Sequence, residues 1–177
     1  MEIIVLRLCH RLPRDERIST HVALVARAFG ADSLIYTGQH DSGLEESVKR
    51  ICERWGGKTS SGNFSVSYEK SPRSAIRKMK KQGFAAVHLT MYGIPLQEKL
   101  KKMKANEKLL LIVGSGQVPK EIYGLADFNI SVTNQPHSEV AALAIILDRL
   151  MQGKELSGFD FKGKLRIRPS EKGKEFY

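Results

Sequence analysis

The segment Lys108–Val113 limits the possible folds of this chain more than any other, because five apolar residues, Leu-Leu-Leu-Ile-Val, follow the lysine without interruption. A strand that is apolar on both faces belongs in the middle of a parallel sheet, where helices cover it on both sides. Neighbouring parallel strands are joined by crossover connections that are usually helical. The segment therefore predicts an α/β domain, with a mostly parallel sheet and helices on both of its faces.

Strand-like and helix-like spacings of apolar residues alternate along most of the chain. The predicted strands are Glu2–Leu8, Ser33–Tyr36, Ser65–Glu69, Phe84–Thr90, Lys108–Val113 and Phe128–Val132. The predicted helices are Arg17–Phe29, Leu44–Trp55, Pro72–Gln82, Pro95–Lys104, Pro119–Leu125 and Ser138–Met151. No linker separates these elements, so we expect residues 1–177 to form a single domain. Its last part, 152–177, is a basic and loop-rich tail with weak strand character only at Leu165–Arg168.

The chain contains neither an apolar run of about 20 residues, the length that spans a membrane, nor the layout of a signal peptide at its N-terminus. We therefore expect a cytoplasmic protein without membrane contact. Its two cysteines, Cys9 and Cys52, have no C-x-x-C partner, and Cys52 falls on the apolar stripe of a predicted helix. We expect no metal site and no thiol chemistry.

The formal net charge is +10, and the excess of basic residues is concentrated in two places. One predicted helix and the residue before it carry Lys70, Arg73, Arg77, Lys78, Lys80 and Lys81. The tail carries Lys162, Lys164, Arg166, Arg168, Lys172 and Lys174. Such surfaces attract phosphate backbones because binding releases counterions. The charge favours a nucleic-acid partner, with Arg73 and Arg77 as candidate phosphate contacts, over a basic face that is merely solvated.

Ligands of parallel sheets bind outside the carboxyl ends of the strands. This rule selects four loops: Cys9–Glu16, Met91–Ile94, Gly114–Val118 and Thr133–His137.

The loop Gly114–Val118 follows the most apolar strand and precedes a helix, as a dinucleotide-binding loop would. However, Pro119 stands where the pattern G-x-G-x-x-G requires its last glycine, and no Gly-Lys-Ser/Thr of a P-loop follows. The glycines still allow backbone amides to approach a flat ligand closely.

The segment Asn134–Glu139 places five polar residues and a proline between a core strand and a helix. Ser138 and Glu139 are typical helix-capping residues. Capping does not require Asn134, Gln135 and His137, which are costly to bury without hydrogen-bond partners. This segment therefore predicts a pocket for a polar heteroaromatic ligand such as an adenine ring.

The first loop and the helix after it carry several charged and titratable side chains. They are His10, Arg11, Arg14, Asp15, Arg17 and His21. Arg17 and His21 share one helix face because they are four residues apart, and Asp15 is suitably placed to pair with an arginine. A surface cluster of ion pairs without function is the alternative interpretation.

Six segments of the chain together resemble a known family. They are Arg7–Arg11 (RLCHR), Arg14–Arg17 (RDER), Thr20–Leu24 (THVAL), Ala28–Asp32 (AFGAD), His88–Gly93 (HLTMYG) and Asn134–Ala142 (NQPHSEVAA). In this order, over roughly residues 2–168, they closely resemble the archaeal tRNA cytidine 2'-O-methyltransferases of the SPOUT class. That family methylates the ribose of the T-loop cytidine at position 56 of tRNA.

The resemblance implies S-adenosylmethionine as the methyl donor, tRNA as the substrate, a homodimer, and a trefoil knot in the C-terminal half, at about 84–151. The same resemblance places the cofactor among three loops. The residues it implies are Leu89, Gly114, Ser115, Gly116, Gln117, Val118, Val132, Thr133, Asn134, Gln135, Pro136, His137, Ser138 and Glu139. Arg11 and Arg14 join Arg73 and Arg77 as expected RNA contacts.

A ribose hydroxyl is a poor nucleophile, so its proton must be removed or weakened. SPOUT ribose methyltransferases are commonly assigned an arginine from their first motif for this step, yet an arginine stays protonated in ordinary sites. We expect Arg17 to stabilise the forming alkoxide and His21 to act as the base. Enzymes of this class usually carry an asparagine before the motif arginine. This chain lacks that residue, so the choice between Arg17 and Arg27 stays open.

Three other functions remain as alternatives. The first is a SPOUT methyltransferase that acts on a base or on another RNA position, and the second is an RNA-binding protein without catalysis. The polar segment Asn134–Glu139 weighs against the second, because a simple binding surface does not need a polar pocket at a strand end. The third, a nucleotide-dependent oxidoreductase, is disfavoured by Pro119.

Overall fold

The computed structural model describes all 177 residues. The strands are β1 (Glu2–His10), β2 (Ser33–Gly38), β3 (Lys58–Thr59), β4 (Gly62–Asn63), β5 (Ser65–Tyr68), β6 (Ala85–Pro95), β7 (Lys108–Val113), β8 (Phe128–Ser131), β9 (Ile167–Arg168) and β10 (Glu175–Phe176). The helices are α1 (Glu16–Ala28), α2 (Ser42–Trp55), α3 (Pro72–Lys81), α4 (Leu96–Lys104), α5 (Lys120–Leu125) and α6 (Glu139–Met151), followed by a short 3-10 helix at Lys154–Ser157. None of the helices is both long enough and apolar enough to cross a membrane.

Six strands form one sheet in the order β5-β2-β1-β7-β6-β8, and all of their pairings are parallel. The strand β7 lies between β1 and β6, and its apolar residues from Leu109 to Val113 are completely buried. The α/β class and the central position of this strand were predicted from its composition, and both predictions are confirmed.

Helices cover both faces of the sheet. Residues from α1, α2, α4 and α6 belong to the hydrophobic cluster on one face, together with Ile3 and Val5 of β1. Residues from α3 and α5 belong to the cluster on the other face, together with Leu6 and Leu8. This division follows from the strand geometry, because successive side chains of a strand point to opposite faces.

Several element ends differ from the prediction, and the largest difference concerns β6. This strand continues past Thr90 to Pro95, but its register against β8 shifts, so that Leu89 and Ile94 both pair with Ile130. The residues between them protrude from the sheet at its carboxyl edge. The predicted knot concerns how the chain threads, which strand order alone does not establish, and it stays a prediction.

The predicted tail, 152–177, packs against the body of the protein. Lys58 N donates a hydrogen bond to Phe161 O at 3.1 Å, and Leu165 N donates one to Arg54 O at 3.0 Å. The short strands β9 and β10 pair in antiparallel fashion. These contacts lie near the C-terminal ends of α1 and α2, which lead to the amino ends of the strands. The tail therefore occupies the sheet edge opposite to the predicted ligand loops.

Candidate active site

A cavity of about 660 Å³ opens at the carboxyl edge of the sheet, among the loops after β6 and β7 and the segment before α6. Eight of the predicted cofactor residues line it: Leu89, Gly114, Gly116, Gln117, Val118, Pro136, His137 and Glu139. The other lining residues are His88, Thr90, Met91, Tyr92, Lys120, Tyr123 and Ala142. The rule that ligands bind at the carboxyl ends of parallel strands therefore selected loops that enclose a real cavity.

The six remaining predicted cofactor residues are Ser115, Val132, Thr133, Asn134, Gln135 and Ser138, and none of them lines the cavity. Three of these side chains shape the loops instead. Ser115 Oγ donates to Cys9 O at 2.6 Å, and Asn134 Nδ2 donates to Met91 O at 2.7 Å. Ser138 Oγ accepts a hydrogen bond from Val140 N at 3.2 Å, which confirms Ser138 as the N-cap of α6.

Arg7 was not among the predicted site residues, but it connects two walls of the cavity. Its Nη1 donates to Gly114 O and to Glu139 Oε1, at 2.7 Å in each case. Its Nε donates to Ser19 Oγ at 3.3 Å. The side chain of Arg7 is completely buried, whereas that of Glu139 is 29% exposed toward the cavity. A charged residue within the apolar run of β1 was the sequence signal that could have identified it.

His88 is a second lining residue that the sequence analysis did not select. Asn129 Nδ2 donates to Tyr123 O at 3.0 Å, which turns Asn129 Oδ1 toward His88 Nδ1 at 2.9 Å. Nδ1 must therefore carry the proton, and His88 Nε2 keeps a free lone pair. No hydrogen-bond donor reaches this buried Nε2 within the protein. A buried polar atom without a partner next to a cavity is suited to a ligand donor.

The environment of His88 also affects its charge. Burial lowers the pKa of His88 below its ordinary value, and the hydrogen bond with Asn129 opposes this shift only in part. The ring of Tyr123 contacts the imidazole edge-to-face, with 4.7 Å between the ring centroids. His88 is therefore uncharged at neutral pH and presents an acceptor to the cavity wall.

Arg11 and Arg14 lie beside the loop after β7, and the predicted pairing of Asp15 with an arginine is confirmed. Arg14 Nε donates to Asp15 Oδ1 at 2.8 Å, and Arg11 N donates to Asp15 Oδ2 at 3.1 Å. Arg14 also donates to Ser115 O. A Cβ atom placed on Gly116 would lie 3.4 Å from Arg11 Nη2 and 3.8 Å from Arg14 Nη2. Both guanidinium groups therefore stand at the rim of the cavity.

The carboxyl group of Asp15 is buried under these arginines. Burial by itself would raise the pKa of Asp15. The hydrogen bond and charge of Arg14, together with the backbone N–H of Arg11, reverse this effect and hold the pKa below its ordinary value. Asp15 is therefore a fixed anion that orients the guanidinium of Arg14 and lies 3.9 Å from Nε of Arg11.

Arg17 and His21 are exposed on α1 and do not line the cavity of their own chain. Arg27, the alternative motif arginine, is buried elsewhere. Its Nε donates to Gly56 O at 2.9 Å and its Nη2 to Trp55 O at 3.0 Å, and its guanidinium lies 4.6 Å from the ring centroid of Phe161. Arg27 thus joins the end of α2 to the tail, on the opposite edge of the sheet.

Arg73 and Arg77 are exposed on α3, and neither forms an ion pair. In contrast, Lys78 pairs with Glu69 at 2.7 Å, and Lys80 pairs with Asp127 at the same distance. The two arginines are four residues apart and thus adjacent on the helix surface, where like charges repel. No group of three or more His, Cys, Asp or Glu side chains is arranged to hold a metal ion.

Comparison with known proteins decides the family. Residues 55–177 match the model of a family described as tRNA ribose 2'-O-methyltransferase, aTrm56. The chain belongs to this family of tRNA ribose 2'-O-methyltransferases. A relative from Methanocaldococcus jannaschii, named tRNA (cytidine(56)-2'-O)-methyltransferase, is 52% identical over 177 residues, which cover 98% of this chain and 95% of the relative. A relative of the same name from Methanosphaera stadtmanae is 49% identical, with 98% and 97% covered.

Solved structures of SPOUT-type enzymes share the fold. The TrmH/SpoU tRNA modifying enzyme of Aquifex aeolicus (A. aeolicus) matches with a TM-score of 0.60 and 17% identity, over 92% of this chain and 79% of that chain. The methyltransferase AviRb of Streptomyces viridochromogenes, solved in complex with the cofactor AdoMet, matches with a TM-score of 0.58 and 16% identity, over 89% and 61%. The predicted family, fold class and enzyme class are thereby confirmed.

Proposed function

We propose that this enzyme transfers the methyl group of S-adenosylmethionine to the ribose 2'-hydroxyl of cytidine 56 in the T-loop of tRNA. The observation that carries this proposal is the cavity at the carboxyl edge, enclosed by the loops in which the family resemblance places the cofactor. The name that the two related enzymes share, tRNA (cytidine(56)-2'-O)-methyltransferase, supports cytidine 56 as the methylated nucleotide. Since tRNA is the substrate of the family, we place the activity in the cytoplasm.

The residues of the cavity suit this cofactor. Leu89, Val118, Pro136 and Ala142 supply apolar walls for a flat ring, and the buried Nε2 of His88 offers an acceptor for a ligand N–H or O–H. Gly114 is required for the shape of its loop, because a Cβ atom there would lie 2.5 Å from Val118 Cγ2. When bound, the cofactor supplies an activated methyl group on a positively charged sulfur atom.

The proposed chemistry at the ribose depends on Arg17 and His21. The guanidinium of Arg17 stays protonated and stabilises the negative charge that develops on the 2'-oxygen. His21, one helical turn away, accepts the proton. Arg27 is unsuited to this role, because its guanidinium is bound to backbone carbonyls and covered by Phe161.

Arg17 and His21 lie outside the cavity of their own chain, so the proposal requires a homodimer in which the partner subunit brings them to it. The exposed apolar residues near the cavity support this assembly. Tyr92, in the segment that protrudes from β6, and Ile94, where pairing with β8 resumes, are 75% and 45% exposed, and Ile145 on α6 is 42% exposed. Isologous contacts between such surfaces are common in homodimers.

For tRNA, we propose contacts at two places. Arg11 and Arg14 at the cavity rim would bind phosphates next to the methylated nucleotide, because Asp15 holds the guanidinium of Arg14 by a hydrogen bond and that of Arg11 by a longer ion pair of 3.9 Å. Arg73 and Arg77, which lack carboxylate partners on their helix, would bind phosphates farther away.

The first experiment tests the reaction itself. The protein is incubated with an unmodified tRNA transcript and S-adenosylmethionine labelled in the methyl group, and the RNA is then hydrolysed in alkali. A 2'-O-methyl group blocks hydrolysis of the adjacent phosphodiester bond, so the label should appear in one dinucleotide that is lost when cytidine 56 is replaced. Label in mononucleotides would mean base methylation instead and would exclude the proposal.

The second experiment tests the catalytic residues and the composite site. We expect Arg17→Ala to lower turnover by roughly 100-fold or more while the Kd for S-adenosylmethionine stays unchanged. Arg50→Ala, which removes an exposed arginine that contacts Glu46 and Ser47 on the same helix, is the matched control and should have full activity. The Arg17→Ala and Gly114→Val variants are then mixed in equal amounts, unfolded and refolded together. Half of the resulting dimers would contain one subunit of each variant, and one of the two sites in such a dimer would be intact. We therefore expect the mixture to regain about a quarter of the wild-type activity. Normal turnover by Arg17→Ala would refute the assignment.

A further inference from the structure

Arg7 stands at a position where the strand pattern would place an apolar residue. It follows Ile3 and Val5 on the face of β1 that packs against α1 and α6, and its neighbours in register are Tyr36 and Val113. All four of these neighbours are completely buried, and so is Arg7. A charged residue therefore occupies the face of the sheet that the largest hydrophobic cluster covers.

Stability does not explain this arginine. A buried charge loses its hydration, and replacing a buried ion pair by well-packed apolar residues is often neutral or stabilising. Moreover, Arg7 Nη2 has no hydrogen-bond partner within the protein, although it is buried. Such an unsatisfied donor lowers the stability of the folded state. The contacts that Arg7 does make must therefore serve another purpose.

These contacts join two separate walls of the cavity. The single nitrogen Nη1 binds Gly114 O, where the loop after β7 begins, and Glu139 Oε1, in the first turn of α6. On the other side, the contact of Nε with Ser19 Oγ ties the guanidinium to α1. A planar guanidinium with two short bonds allows little freedom in the separation of the two groups it binds.

We propose that Arg7 is a positioning residue, which holds the loop Gly114–Val118 and the start of α6 at the separation that S-adenosylmethionine requires. The inference rests on the proposed function, because it concerns the same cavity. Arg7 does not line this cavity and acts through the two groups that it binds.

The geometry also defines what Glu139 contributes. A free carboxylate beside the cavity would favour the positive sulfonium of S-adenosylmethionine over the neutral thioether of S-adenosylhomocysteine. In this structure the guanidinium of Arg7 compensates the charge of Glu139, with 2.7 Å between Arg7 Nη1 and Glu139 Oε1. A change that loosens this contact but keeps both charges, such as Arg7→Lys, should therefore weaken the binding of both compounds by the same factor.

The test measures the Kd of both compounds by calorimetry for the wild type, Arg7→Lys, Glu139→Gln and the double variant. Arg7→Lys keeps the charge but cannot bridge two acceptors with the same geometry, and Glu139→Gln keeps Arg7 and an acceptor oxygen. We expect each single variant to raise both Kd values roughly 10-fold or more, and the ratio between the two compounds should stay unchanged in Arg7→Lys, which keeps both charges. The double variant should be little worse than either single variant, because both changes break one connection.

Asp32→Asn is the matched control. Asp32 is a buried carboxylate at the amino edge of the sheet, where it accepts hydrogen bonds from Ile3 N at 2.8 Å and Ser60 Oγ at 2.7 Å. This variant should lower thermal stability without changing either Kd. Amide exchange gives a readout that does not depend on activity: in Arg7→Lys it should become faster in Gly114–Val118 and at the start of α6, but not in the tail.

The possible outcomes separate the two proposals. If the wild type binds neither compound, the proposed function fails. If the wild type binds both compounds, and the Glu139→Gln and Arg7→Lys variants bind them as tightly as the wild type does, the role of Arg7 is refuted while the proposed function stands. If only S-adenosylmethionine binds more weakly to Glu139→Gln, Glu139 acts directly on the sulfonium charge, which also refutes the positioning role.

Discussion

Two buried arginines, Arg7 and Arg27, occupy opposite edges of the same sheet and are used differently. Arg27 binds the neutral carbonyls of Trp55 and Gly56 and lies against the ring of Phe161, so that it closes a contact between α2 and the tail. Arg7 binds one carbonyl and one carboxylate, and both of these groups belong to residues that line a cavity.

The difference shows that a buried arginine can either join two elements by neutral contacts or connect a loop and a helix through a carboxylate. At the amino edge, two backbone carbonyls and an aromatic ring hold the guanidinium, and a Cβ atom on Gly56 would lie 2.1 Å from Phe161 O. At the carboxyl edge, the Arg7 guanidinium binds both the loop after β7 and the start of α6, and these two segments form walls of the cavity of about 660 Å³. We therefore expect substitutions at the amino edge to affect stability and substitutions at the carboxyl edge to affect binding.

The largest effect on stability is expected for Arg27→Met. This variant leaves the carbonyls of Trp55 and Gly56 without their charged donor, and we expect the free energy of unfolding to fall by ~3 kcal/mol. Denaturant unfolding measures the loss, and calorimetry should give an unchanged Kd for S-adenosylmethionine. A normal stability combined with weaker cofactor binding would invalidate the distinction between the two edges.

A smaller loss of stability is expected for Gly163→Ala. A Cβ atom at this position would lie 2.3 Å from the carbonyl carbon of Trp55, so the tail must move away from α2. We expect a loss of ~2 kcal/mol, together with faster proteolysis of the tail. Gly173→Ala is the control in the same tail, since no atom lies within 4 Å of its added Cβ. Equal protease resistance in the two variants would contradict the packing described for the tail.

The opposite result is expected for Gly116→Ala at the carboxyl edge. The atoms nearest to its added Cβ belong to the ends of the Arg11 and Arg14 side chains, which can move. We expect the free energy of unfolding to change by less than about 0.5 kcal/mol. Because Gly116 lines the cavity, the Kd for S-adenosylmethionine should nevertheless rise. An unchanged Kd would mean that the cofactor does not approach this part of the loop.

The smallest effect concerns pH and His88. Since burial lowers the pKa of His88, the unfolded chain takes up a proton near pH 6.5 while the folded protein does not until the pH is lower. Stability at the carboxyl edge should therefore decrease as the pH falls from 7 toward 5. The pKa of Asp32 at the amino edge is lowered from 3.8, so this group stays ionised throughout that interval.

His88→Asn tests this expectation, because asparagine retains a donor near the position of Nδ1 but does not titrate. Melting temperatures of the wild type and the variant, measured between pH 5 and 8, should converge as the pH falls. Parallel curves would show that His88 does not contribute to the pH dependence. Asp32→Asn should leave the slope in this interval unchanged.

Much of the fold followed from local patterns. The run Lys108–Val113 predicted its own position in the sheet, and Ser138 was correctly identified as a helix cap. The bulge of β6 between Leu89 and Ile94 was not predicted, because a register shift depends on the partner strand and leaves no periodic signal of its own. The packing of the tail against Gly56 was not predicted either, because it joins residues that are far apart along the chain and leaves no local pattern.

The sequence by itself determined the α/β class, the loops around the cavity and the family, since apolar periodicity and contiguous motifs are properties of neighbouring residues. Only the tertiary structure decided which of these residues meet. It brought Arg7 to Glu139 and His88 to Asn129, bound Arg27 to the end of α2, and left Arg17 and His21 on the surface of α1. Such pairings join residues that are distant along the chain, and they become definite only when the whole core is packed.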